Sequence, residues 1–185
     1  METIGIVFGV IVVVLILWVI TVYNNIVRSR VKTQEGWSSI GTFLQQRNDL
    51  IPNLVETVKG YAAHEKDTLT DVTKWRNLSA AAKTPQEQST ASSGLMSALG
   101  GLYAVSENYP QLQADQNFLL LQGTLADLEE QINYARRYYN GTVTAFNTTL
   151  SIFPNNLVAG TFNVQPAVFF AEDAEAKVVP KVSFH

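Results

Sequence analysis

Residues 118–150 read FLLLQGTLADLEEQINYARRYYNGTVTAFNTTL. Along them Phe118, Leu121, Leu125, Leu128, Ile132, Ala135, Tyr139, Val143, Phe146 and Leu150 recur at steps of three or four. That period lays one apolar stripe along an α-helix. The spacing predicts a helix from about Gln113 to about Ile152, roughly 60 Å long at ~1.5 Å per residue. Such a stripe must be covered by other helices, which makes the chain all-α: an antiparallel bundle of long helices joined by short links.

Upstream, Thr84-Pro85-Gln86-Glu87 places a Thr cap, a Pro at the first helical position and a Glu three residues after the cap. This is a capping box, and it predicts a second helix that ends at Asn108-Tyr109-Pro110. Its middle is rich in Ala, Ser and Gly, and between Thr84 and Ala114 only Glu87 and Glu107 are charged. That charge-poor face is expected to be covered, by the bundle or by another subunit, with Leu95, Leu99 and Leu102 as interface candidates. Further upstream, Trp37, Ile40, Leu44, Ile51, Leu54, Val58, Ala62, Leu69 and Val72 form another stripe, with Arg47 and Glu65 on it. Pro52 interrupts it, since proline lacks an N–H and crowds the preceding turn. The element is expected to be kinked or nearly continuous there, with Asp49 as the cap if it restarts. Arg47, Asn48 and Asp49 read as capping and helix–helix bonding.

Before these helices, Thr3–Val22 reads TIGIVFGVIVVVLILWVITV, which is 20 residues without a charge. At helical rise it spans about 30 Å, the thickness of a bilayer core. A signal peptide would need a basic start and small residues at its end. Here Glu2 precedes the run, and Trp18, Val22 and Tyr23 stand where cleavage would occur. An uncleaved anchor is expected over residues 1–23, continuing into a bundle over 24–153. Arg28, Arg30 and Lys32 follow the run, so the positive-inside rule puts the N-terminus outside and the large C-terminal part in the cytoplasm. Trp18 and Tyr23 suit the interfacial aromatic belt, and the three basic residues suit lipid head groups. Gly5 and Gly9 form a G-x-x-x-G pair that would let two membrane helices approach closely.

Beyond residue 153 the pattern changes to a short helix and an extended apolar tail over 154–185. Asn156–Gly160 is the helical turn, and Pro166 and Pro180 forbid a long helix afterwards. Phe162, Val164, Phe169, Phe170, Val182 and Phe184 are too apolar to stay in water. They either wrap their own bundle or dock on a neighbouring subunit, in the second case by adding a short strand.

The composition narrows the function. No cysteine is present, which excludes a disulfide framework, a Cys-based zinc site and thiol chemistry. A net charge of −3 argues against general nucleic-acid binding. His64-Glu65 begins like a zinc-protease motif, but Thr68 stands where the second His is needed. His64, Asp67 and Asp71 would at most hold a metal weakly. Glu129, Glu130, Arg136 and Arg137 read as a solvated, salt-bridged face. No catalytic residues, cofactor or metal site are expected.

Several blocks resemble the LemA family. They include Tyr23-Asn24-Asn25-Ile26-Val27, Trp37 and the run Arg47-Asn48-Asp49-Leu50-Ile51-Pro52-Asn53-Leu54-Val55 continuing to Glu65. They also include Glu107-Asn108-Tyr109-Pro110, Ala135-Arg136-Arg137-Tyr138-Tyr139-Asn140, Phe153–Gly160 and Val182-Ser183-Phe184. The second helix departs from the family in being poorer in charge. The resemblance implies a bacterial, single-pass inner-membrane protein with a cytoplasmic helical domain and no established enzymatic activity. It also implies a link, in some relatives, to the internal membranes of magnetosome-forming bacteria.

The expectation is therefore a non-enzymatic, membrane-anchored scaffold that self-associates on the cytoplasmic face and organises or shapes the membrane. Its partners would be membrane lipids and further copies of itself. The rival is a monomeric or dimeric adaptor that presents its bundle to a membrane protease or transporter. An enzyme or metal sensor centred on His64, Asp67 and Asp71 is the third reading.

Overall fold

In the computed structural model, residues 2–171 are described, and they form helices with no strand among them. The elements are α1 (Glu2–Tyr61), α2 (Lys66–Ala81), α3 (Pro85–Ser106), α4 (Pro110–Gln113), α5 (Gln116–Ser151) and α6 (Asn155–Thr161). The apolar run and the first bundle helix are one 60-residue helix. Its apolar part has a mean hydropathy of 3.1 and no buried residue in that window, so among the described residues one stretch is long and apolar enough to cross a membrane.

α1 passes through Pro52 without a break, and the structure shows why. Proline cannot donate to the carbonyl four residues earlier, which is that of Asn48. Arg76 of α2 supplies the missing donor, its Nε lying 3.0 Å from Asn48 O. Asp49 is therefore an exposed mid-helix residue and caps nothing. The stripe expected to run on to Val72 instead breaks after Tyr61, so the bundle gains a further helix. Tyr61 donates to Asp115 at 2.8 Å, and Tyr109 donates to Glu65 at 3.0 Å. These two bonds tie the α1–α2 corner to the segments flanking α4. Periodicity alone could not report the break, because Leu69 and Val72 keep the register of the stripe across it.

The capping box at Thr84 forms as expected. Thr84 Oγ1 accepts from Glu87 N at 3.2 Å, and Glu87 Oε2 accepts from the backbone N–H groups of Lys83 and Thr84. Asp115 caps α5 in the same manner, accepting from Phe118 N at 2.9 Å. α6 ends in a Schellman motif. Asn163 takes φ 50° just past the last turn, and Val164 N donates back to Ala159 O at 3.0 Å.

The chain divides into two compact units, each using part of α1 and part of α5. The first takes Met1–Ser38 and Tyr138–Val168. Its core is Ile26, Phe146, Leu150, Val158 and Ala159, with Val19, Val22, Val164 and Ala167 packed on it. Gly36 allows α1 and α5 to touch here, since a Cβ on it would lie 3.3 Å from Tyr139 Cα. Trp37 and Tyr139 meet beside it in a tilted ring contact at 5.5 Å. The second unit takes Ser39–Arg137 and, among the described residues, 169–171. Ile51, Leu54 and Val58 of α1 meet Val72 of α2, Leu112 of α4 and Phe118 and Leu125 of α5 in its core.

Leu95, Leu99 and Leu102 lie in that same core, at most 3% exposed. This corrects the expectation that they face another subunit. The charge-poor face of α3 is covered by the chain's own helices.

Candidate functional site

The residues expected at the membrane all lie on α1. Trp18 and Tyr23 are 37% exposed on α1, and Arg28, Arg30 and Lys32 are exposed on the same helix. Gly5 and Gly9 are exposed one turn apart, and a Cβ added at either would meet nothing within 4 Å. A bare helical face of this kind can accept a second helix.

The extended segment after α6 is strapped to its own chain. Within the first unit, Asn147 holds Ala167 from both sides of its amide: Nδ2 donates to Ala167 O at 3.0 Å, and Oδ1 accepts from Ala167 N at 2.9 Å. Tyr139 OH donates to Val168 O at 2.7 Å, and burial raises the pKa of this phenol. The Phe162 ring meets Tyr23 in a tilted contact at 4.7 Å, and Val164 packs on the core. Within the second unit, Phe170 is buried under the Arg136 guanidinium at 4.6 Å, while Phe169 is half exposed. Ala171 O accepts from Arg136 at 2.9 Å and from Ser89 at 3.1 Å. Side chains of α3 and α5 thus do the work that a strand partner would do. Val182 and Phe184 lie outside the described residues.

The second unit also carries a buried polar network. Arg47 is fully buried, and Nη1 donates to Glu129 Oε1 at 2.7 Å while Nη2 donates to Ser92 Oγ at 3.1 Å. Gln88 Nε2 extends the network to Ser79 at 2.9 Å. Arg47 therefore joins α1, α3 and α5, and Gln88 adds α2. The helix–helix bonding expected of Arg47 is present, whereas its capping role is not. The face expected from Glu129, Glu130, Arg136 and Arg137 is corrected in part: Glu129 is the partner of buried Arg47 and Arg136 clamps the strap, while Glu130 and Arg137 are exposed, Arg137 lying over Tyr134. Tyr103 stands nearby, and burial first, then the Glu129 charge, raises its pKa. Sequence reasoning found Arg47 on an apolar stripe but not its partner, because Glu129 lies 82 residues away.

One open trough of about 930 Å³ lies between α1 and α2. Val55, Leu69 and Leu78 give it an apolar floor, and Lys59, Lys66 and Lys74 supply three positive charges against Glu56. His64, Asp67 and Asp71 are exposed, and among the described residues no group of three metal-ligating side chains gathers.

Comparison with known proteins finds sequence relatives over most of the chain. The chain is 27% identical to Protein LemA of Metamycoplasma hominis, over 82% of this chain and 70% of that protein. It is 26% identical to Magnetosome protein MamQ 2 of Paramagnetospirillum magneticum, over 81% of this chain and 65% of that protein. Magnetosome protein MamQ of Magnetospirillum gryphiswaldense is 23% identical over the same shares. The chain thus spans just under two thirds of the MamQ proteins' length. The sequence model of the LemA family matches residues 36–184. That match covers most of the chain, from within α1 onward, and it makes this protein a member of the LemA family.

Proposed function

We propose that this protein is a non-enzymatic scaffold that self-associates through its membrane helix and organises the membrane it sits in. The observation that carries this reading is the bare Gly5/Gly9 face on a helix of hydropathy 3.1. Small residues one turn apart let two backbones approach closely in lipid, where there is no hydrophobic force to bring helices together. The names of the magnetosome relatives support a role at a membrane. The basic flank at Arg28, Arg30 and Lys32 supports a cytoplasmic bundle at a bacterial inner membrane. Leu95, Leu99 and Leu102 no longer argue for self-association, since they fill the chain's own core.

The test is the particle mass of the full chain in detergent and in nanodiscs. A multiple of the 20.4 kDa chain is expected, falling toward the monomer when Gly5 and Gly9 are both replaced by Leu. A monomer in both media sinks the reading. The lysine-rimmed trough favours a second reading, an adaptor that receives an acidic amphipathic helix from a membrane protein partner. Co-purification of a stoichiometric partner, lost on reversing Lys59, Lys66 and Lys74 to Glu, would favour that reading over the scaffold.

A further inference from the structure

We infer that the turn from α5 into α6 is a second membrane contact, with Phe153, Leu157 and Phe162 seated in the interface of the bilayer that α1 crosses. The inference rests on reading Thr3–Val22 as the membrane span.

Val158 and Ala159 of α6 are buried against Ile26, and Val19 and Val22 pack on the same cluster. Val19 and Val22 belong to the last turn of the apolar run. α6 is therefore fastened alongside the stretch of α1 that leaves the hydrocarbon, not to a part well beyond it. The Phe162 ring meets Tyr23 in a tilted contact at 4.7 Å, at the level of the expected aromatic belt.

The outer side of this turn is apolar and uncovered. Phe153 is 78% exposed, Leu157 59% and Phe162 52%. Soluble surfaces seldom present such a group together, and where they do it marks a contact. Continuity with the span selects lipid as that contact, because the patch begins where the span ends. Charge agrees: residues 3–27 and 138–171 contain no Asp, Glu, Lys or Arg. Nothing charged has to be dehydrated when the turn settles about 5–10 Å into the head-group and acyl boundary. Asn155, Asn156, Thr161 and Asn163 are polar but uncharged, which suits that depth.

The chain has no cysteine, so single substitutions can carry a nitroxide at a known place. Phe153→Cys and Leu157→Cys are labelled in the full chain in phosphatidylcholine/phosphatidylglycerol vesicles. Collisions with oxygen, which concentrates in the bilayer, are compared with collisions with a water-soluble nickel chelate. Leu15→Cys is the lipid reference and Asp71→Cys the aqueous one. Helical circular dichroism checks the fold of each labelled chain. The expected result is an oxygen-to-nickel ratio at both sites several-fold above that at residue 71 and close to that at residue 15. A nickel-dominated signal like that of residue 71 overturns the inference. So does exclusion of both reagents, which would mean that protein, such as a second copy, covers the turn. If residue 15 itself reads as water, the membrane span fails first, and that failure is distinct from the others.

Discussion

Replacing Arg47 by Met keeps most of the side-chain volume and removes the charge. Its guanidinium is 0% exposed, and its partner Glu129 is 20% exposed. Breaking a buried ion pair by deleting one member costs about 3–5 kcal/mol, because the other charge is left without compensation. Arg47→Met falls at the lower end, about 3 kcal/mol, since the Glu129 carboxylate already reaches water and can turn toward it. Glu129→Leu falls at the upper end, because the Arg47 charge has no route to solvent. The double variant Arg47→Met/Glu129→Leu is expected within about 1 kcal/mol of the parent, since an apolar replacement of a whole buried pair is often neutral or stabilising. Arg47 Nε is buried without a hydrogen-bond partner among the described residues, so the native pair is incompletely satisfied and the swap loses little. Thermal unfolding in detergent, followed by circular dichroism, reads the effect as a drop on the order of 10 °C for Arg47→Met. Recovery in the double variant is the deciding measurement. Equal stability of Arg47→Met and the parent, or additive losses in the double variant, would refute the idea that the two charges act as one unit.

Arg76→Ala should cost about 1–3 kcal/mol by leaving the Asn48 carbonyl without a donor, and less in a Pro52→Ala background where a backbone N–H is restored; equal costs in the two backgrounds would dismiss the compensation. Gly94→Ala should destabilise by about 1–3 kcal/mol, because its Cβ would collide with the Trp75 ring, and Trp75→Leu should relieve part of that loss in a double-variant melt. Acid should weaken the bundle through two capping carboxylates. The Asp115 pKa is lowered by the Phe118 N–H and then by the Tyr61 hydroxyl, and the Glu87 pKa by the Lys83 and Thr84 N–H groups. Both folded values lie below the ordinary 3.8 and 4.5, so the stabilisation is complete above those values and is lost as pH falls through the folded ones. Asp115→Asn and Glu87→Gln should each flatten the acid limb of a stability–pH curve, and a parallel curve would count against the assignment.

The helices and their apolar faces were legible because they follow from local period and capping. The stripe from Phe118 to Leu150 and the box at Thr84 each encode one element by themselves. The α1–α2 corner was not legible, because its cause lies in Tyr61–Asp115 and Tyr109–Glu65, pairs 54 and 44 residues apart. Covered α3 was legible as covered, but composition does not tell a chain's own core from a neighbour's surface. For the same reason the strap could be recognised as needing a partner without the partner being named. Its holders, Asn147, Tyr139, Arg136 and Ser89, hydrogen-bond to main-chain atoms, and such bonds leave no side-chain signature in the strap.

These non-local pairs solve a problem that the apolar stripes create. A stripe of Leu, Ile and Val repeating every three or four residues packs nearly as well after sliding by one turn. In the second unit, α1, α2, α3 and α5 all carry such stripes, so hydrophobic burial alone sets their association more firmly than their register. The polar and steric exceptions exist at single axial positions. Arg47 meets Glu129 and Ser92 in one alignment, Arg76 reaches the carbonyl left by Pro52 in one alignment, and Trp75 fits over Gly94 in one alignment. A slide of one turn would bury Arg47 unpaired and press the Trp75 ring into a side chain, each at a cost of kcal/mol size. The network is expected to act more as a register lock than as net stability, so the whole-pair swap should leave the melting temperature near that of the parent while the single replacements should not.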